Sequence, residues 1–77
     1  MDKKITVQFL ESYRDIMKDE VVFKFDYDGE LLTFAVTTHE MIRFNLTLRE
    51  AAEKKLKDHM IAVGYATEDS CIEVEYG

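Results

Sequence analysis

Ile5, Val7 and Phe9 alternate with Thr6 and Gln8, which predicts a first strand with one apolar face. From Leu10 the period changes. Leu10, Tyr13, Ile16 and Met17 recur at spacings of three and four, and Ser12 with Asp15 resembles a weak capping box. Residues 11–18 therefore read as a short helix or a folded loop. The strongest local signal lies over residues 20–38, where Asp28-Gly29 separates two alternating runs and predicts a two-residue type I′ turn. With Tyr27 facing Glu30, the register puts Phe25 opposite Leu32, Phe23 opposite Phe34 and Val21 opposite Val36, all on one face. The other face pairs Asp26 with Leu31, Lys24 with Thr33, Val22 with Ala35 and Glu20 with Thr37, and is mixed.

Thr37 and Glu40 spell a capping box before a short helix whose apolar stripe is Met41, Ile42 and Phe44. Thr47 and Glu50 spell a second one, opening a main helix from Leu48 to about Val63. Leu48, Ala52, Leu56, Met60 and Val63 line one side of it. Glu50–Lys54 and Glu53–Lys57 have the favoured i,i+4 order for ion pairs on the other side. Gly64 suits the position just past the helix end. After the polar stretch Thr67–Ser70, Ile72, Val74 and Tyr76 alternate with Cys71, Glu73 and Glu75 in a final strand that is apolar on one side and acidic on the other. The expected order is β-(α)-β-β-α-α-β. This is an α+β fold: a small three- to four-stranded, mainly antiparallel sheet around a central Asp-Gly hairpin. One long and one or two short helices pack on one face.

The 77 residues suit a single domain, 1–77, with a thin core. A hydrophobic content of 47% places the chain among globular proteins, and nine aromatics, five Phe and four Tyr, supply much of the interior. The net charge of −6 repels phosphates at long range, so direct nucleic-acid binding and docking on an anionic membrane are disfavoured. Cys71 is the sole cysteine, which precludes an internal disulfide and favours a reducing cytoplasm. The start Met1-Asp2-Lys3-Lys4 leads into alternation with no continuous apolar segment, so no signal peptide is expected, and no run is long enough to span a bilayer. Asn45-Leu46-Thr47 has the form of a glycosylation sequon, which is inert in a cytoplasmic protein.

The chain resembles a small proteobacterial family known as domain of unknown function 1488. The likeness rests on Phe9, the aromatic Tyr13, the run Val21–Phe25, Asp28-Gly29-Glu30-Leu31 leading into Thr33-Phe34-Ala35-Val36, and then the downstream helix, Gly64 and Cys71–Val74. Members tend to carry Phe-Pro near the first strand and Trp where Tyr13 stands, whereas here Leu10 follows Phe9. The resemblance implies an α+β fold and no assigned activity.

Residues able to carry chemistry are few. His39, His59 and Cys71 lack the spacing of a zinc site, and no C-x-x-C, H-x-x-x-H or H-E-x-x-H occurs. Glu40 beside His39 serves as a cap, His59 borders the apolar stripe, and Cys71 reads as an inert packing residue in a strand. Gly29, Gly64 and Gly77 stand apart, so there is no phosphate-binding loop. No catalytic residue, metal ligand or cofactor is expected. Lys54, Lys55 and Lys57, with Arg49, make a basic side of the main helix, but Glu50, Glu53 and Asp58 interrupt it. The acidic set is larger: Asp26, Asp28 and Glu30 at the hairpin tip, and Glu68, Asp69, Glu73 and Glu75 towards the C-terminus. These would form one face if the last strand lay beside the hairpin. The expected role is a small non-enzymatic protein-interaction domain that recognises a protein partner through the sheet face or an edge strand, a basic partner being one option. The alternative is an acidic inhibitor or nucleic-acid mimic of phage type, docking on a basic groove of a nucleic-acid-handling complex. Strand edges invite pairing and leave a homodimer open.

Overall fold

The computed structural model describes residues 4–76; the start at Met1–Lys3, read above for a leader, lies outside them. The elements are β1 (Lys4–Asp15), β2 (Glu20–Tyr27), β3 (Glu30–Thr37), α1 (Thr38–Phe44), α2 (Leu48–Ala62) and β4 (Cys71–Glu75). The architecture is α+β, with a four-stranded mixed sheet in the order β3-β2-β1-β4. Its pairs β1·β2 and β2·β3 are antiparallel, and β1·β4 is parallel.

Alternation governs β2 and β3. Val21 opposes Val36, Phe23 opposes Phe34 and Phe25 opposes Leu32, while Tyr27 faces Glu30 across the reversal. Asp28 and Gly29 between them both have positive φ, 51° and 84°. That region is open to glycine without strain and tolerated by Asp, whose short polar side chain can bond locally. Phe25, Leu32 and Val36 are sealed, and Phe23–Phe25 and Phe25–Phe34 ring contacts fill the layer beneath the helix.

The expected helix or loop over 11–18 is corrected. β1 continues as strand to Asp15, so the order is β-β-β-α-α-β. One extra residue, Leu10, interrupts the register between Phe9↔Phe25 and Glu11↔Lys24. This bulge shifts the alternation by one, so the apolar spacing of three mimics a helical stripe. Asp15 is no helix residue either. Its carboxylate accepts from the Met17 and Lys18 amides at 3.1 and 3.3 Å, and Asp19 turns the chain with φ 51°. At ~3.3 Å per residue, twelve residues of strand run roughly 40 Å, the 41 Å length of the molecule.

The two helices differ in support. Thr47 Oγ1 accepts from the Glu50 amide and the Glu50 carboxylate accepts from the Thr47 amide, both at 3.1 Å, completing a capping box. At the other end Gly64, at φ 86°, lets the Tyr65 amide reach the Met60 carbonyl at 2.8 Å and its own amide reach Ile61. Ala51, Ala52, Leu56 and Met60 of α2 are buried; Val63 is exposed. In α1 only half of the expected box forms, Thr37 accepting from Glu40 at 3.1 Å. Its stripe is not buried: Ile42 and Phe44 face solvent, and Met41 alone leans on the core. Asn45 ends α1 in the left-handed region.

Candidate functional site

The helices cover one face of the sheet. The other is bare, and its rows follow from the register. Gln8 is opposite Glu75 on one side and Asp26 on the other, and Asp26 is opposite Leu31. Among the described residues this is the one row that crosses all four strands. With strands ~4.8 Å apart, its two carboxylates lie roughly 10 Å from each other across Gln8. Glu73, two residues before Glu75, faces the same way opposite Thr6. At the far end of this face Tyr13 is opposite Val22, and Val22 opposite Ala35. Val22 is buried there without belonging to the core, with Lys24 Nζ 5.5 Å from the Tyr13 ring centroid and 3.3 Å from Glu11.

The seven acidic candidates are therefore only partly assembled. β4 pairs with β1, one strand removed from β2, so Glu73, Glu75 and Asp26 share the bare face. Asp28 sits in the reversal beyond Asp26. Glu30 leaves the set: it is paired to Tyr27, on the helix side, and its carboxylate accepts the Tyr65 hydroxyl at 2.6 Å. That bond raises the Tyr65 pKa above the usual phenol range. Glu68 and Asp69 lie in the loop before β4, outside the sheet. Lys4 Nζ holds Glu73 at 2.8 Å, and this hydrogen bond raises the lysine's pKa. Asp26, Asp28, Glu68, Asp69 and Glu75 make no ion pair with another described residue.

The residues weighed for chemistry are dispersed. Cys71 is exposed at the start of β4 and not packed, because its position is on the bare side. His59 is half-buried, with its ring edge-on to Phe34 at 5.5 Å. His39 is exposed on α1. Among the described residues no three His, Cys, Asp or Glu side chains are grouped to hold a metal ion, and no helix is long and apolar enough to cross a membrane. The basic side of α2 is partly spent: Lys55 Nζ pairs with Glu40 at 2.7 Å and donates to the Ala35 carbonyl at 2.6 Å, and Lys54 pairs with Asp58 at 3.0 Å.

One feature escaped the sequence reading. The last described residue, Tyr76, closes over the sheet onto α2. Its ring lies 5.2 Å from Phe9, its hydroxyl donates to Glu53 at 2.6 Å, and the Arg49 guanidinium stacks on it at 4.1 Å. Burial and the Glu53 carboxylate both hold the Tyr76 proton above the usual phenol range. In the sequence, its alternation with Ile72 and Val74 had marked Tyr76 only as part of a strand face. Beside this clasp a groove of about 620 Å³ runs between α2 and β4, floored by Ile72 and Val74 and flanked by Glu50, Glu53, Lys54 and Lys57.

No protein-family model matches the chain, and no curated protein and no solved structure matches it.

Proposed function

We propose that this chain is a small non-enzymatic protein-interaction domain that offers its bare sheet face to a basic protein partner. The supporting observation is the row Glu75–Gln8–Asp26, with Glu73 alongside. It sets two carboxylates without cations across the middle of a face that no helix covers. A guanidinium or ammonium approaching that row meets both charges without first displacing an internal partner. The apolar end at Tyr13, Val22 and Ala35 gives the same partner a place for one uncharged side chain. The chain's overall negative charge favours such a partner at long range. A cytoplasmic location and the likeness to domain of unknown function 1488 belong to this proposal, and the likeness brings no activity with it.

The test is affinity capture from the native host with the wild-type chain and with an Asp26→Lys, Glu75→Lys variant, each at low and high salt. The expected result is a partner retained by the wild type, lost by the variant and released as salt rises. A partner insensitive to both changes would overturn the role of the acidic row. The inhibitor reading makes a narrower demand on the same experiment: the captured protein handles nucleic acid, and the chain competes with that nucleic acid for it.

A further inference from the structure

We infer that the outer edge of β4 is a strand-addition site, whose occupant is an extended segment of a partner protein in which basic and apolar residues alternate. This binding mode rests on the acidic-face reading for the partner's charge and adds how its chain is held. β4 has β1 on one side, and among the described residues no strand pairs with its other side. No proline, lysine or bulge within Cys71–Glu75 blunts that edge, the usual devices against pairing. The opposite edge of the sheet is treated differently: on β3, Lys55 Nζ occupies the Ala35 carbonyl at 2.6 Å.

The phase of the ladders tells which backbone groups the edge offers. Tyr27 and Glu30 flank a two-residue turn and exchange both their bonds, so on β2 Tyr27 and Phe25 bond towards β3 and Asp26 bonds towards β1. Asp26 is opposite Gln8, so Gln8 turns its amide and carbonyl to β2, and its neighbour Val7, like Ile5, turns them to β4. In the parallel pair Ile5 is level with Ile72 and Val7 with Val74, and each bonds to the residues on either side, Cys71, Glu73 and Glu75. The amides and carbonyls of Ile72 and Val74 are left pointing outward.

The side chains of β4 set the pattern of the strand that fits. Glu73 and Glu75 are on the bare side; Glu75 makes no ion pair with another described residue, and Glu73 has Lys4 alone. Ile72 and Val74 are on the helix side and only half-buried. Four strands span roughly 14 Å between the outer two, while one helix covers about 10 Å. α2 packs chiefly on β3, at the other edge, which leaves the groove of about 620 Å³ over Ile72 and Val74. An antiparallel strand added here sets apolar residues opposite Ile72 and Val74, in the hydrogen-bonded pairs, where their side chains lean over the groove. It sets basic residues opposite Glu73 and Glu75, in the closer, non-hydrogen-bonded pairs. One partner segment thus meets the backbone, the apolar floor and the carboxylates together, as strand addition requires.

The probe is a capped synthetic peptide of three Lys-Ile repeats, titrated into the isotope-labelled full chain and followed by nuclear magnetic resonance. Hydrogen exchange of the Ile72 and Val74 amides should slow on binding. N-methylation of the peptide's isoleucines removes the amides that donate to β4 and should weaken binding at least tenfold; N-methylation of its lysines, whose amides point away, should leave binding nearly unchanged. Glu73→Lys with Glu75→Lys should also weaken it at least tenfold, with circular dichroism confirming the fold. No binding at millimolar peptide overturns the inference. So does equal loss from the two methylations, or binding that leaves Ile72 and Val74 unprotected. Asp26→Lys, one strand beyond β1, should leave peptide binding nearly unchanged at physiological salt while it weakens capture of the host partner, so the two proposals fail separately.

Discussion

β1 is one strand with two unlike halves. In Lys4–Gln8, Ile5 and Val7 are 4% and 0% exposed and belong to the core; after the bulge at Leu10, not one residue through Asp15 is buried. The first half lies along β4, the second along β2, and Gln8 alone has both. What separates them is the side chains sent under the helix layer. Ile5, Val7 and Phe9 supply apolar surface there. After the phase shift the positions on that side are Ser12 and Arg14, while Tyr13 turns to the bare face. Strand conformation thus continues where hydrophobic support has stopped. The second half is held by its ladder to β2 and by the turn that Asp15 organises.

The largest expected effect is on the supported half. Ile5→Ala removes buried methyl and methylene groups beneath a packed layer and should cost about 2–5 kcal/mol. That is a large share of the roughly 5–15 kcal/mol typical of a folded domain. A urea midpoint nearly unchanged by Ile5→Ala would erase the contrast between the halves.

The same contrast explains what was legible beforehand. The β2–β3 pairs follow from alternation on two runs separated by residues that accept positive φ, and the observed partners, Phe25↔Leu32 and Phe23↔Phe34 among them, coincide with that reasoning. α2 was legible because Thr47 and Glu50 announce its start and Leu56 and Met60 keep its buried side in phase. β4 was legible as a strand but not in its neighbour: alternation tells which side chains share a face and says nothing of which edge is paired. Residues 10–17 misled because periodicity reports burial, and here Leu10, Tyr13, Ile16 and Met17 are all exposed. Their spacing had no tertiary partner to record. The acidic site was legible as composition only. Its division, with Asp26, Glu73 and Glu75 on the bare face and Glu30 diverted to Tyr65, depends on strand order.

A middle-sized effect belongs to the boundary between the halves, where Tyr76 lies against Phe9 and reaches Glu53. Tyr76→Phe keeps the ring and deletes the hydroxyl, and should cost about 1 kcal/mol at neutral pH for the lost, partly exposed hydrogen bond. It should also alter the alkaline limb. The folded chain holds the Tyr76 proton more tightly than the unfolded chain, so this stability is complete below the ordinary phenol value near ~10. It declines as pH rises from there through the raised value. Tyr76→Phe should make the fall in stability above that pH shallower, with the part due to Tyr65 remaining. An identical alkaline limb in the variant would show that the clasp does not persist in solution.

The smallest effect is the sharpest control, because it repeats the first chemistry at the other end of the ribbon. Ile16 sits in the reversal after β1 and is 83% exposed, against 4% for Ile5. Truncating it removes the same atoms, but they are already in water in the folded chain, so neither a transfer term nor a cavity term arises. Ile16→Ala should shift stability by no more than about 0.5 kcal/mol. The turn is held instead by backbone amides on Asp15, so Asp15→Ala should cost more than Ile16→Ala although it deletes no apolar surface. The reverse order would mean that Ile16 is covered in solution by something other than the described chain, and the second half of β1 would then be as supported as the first.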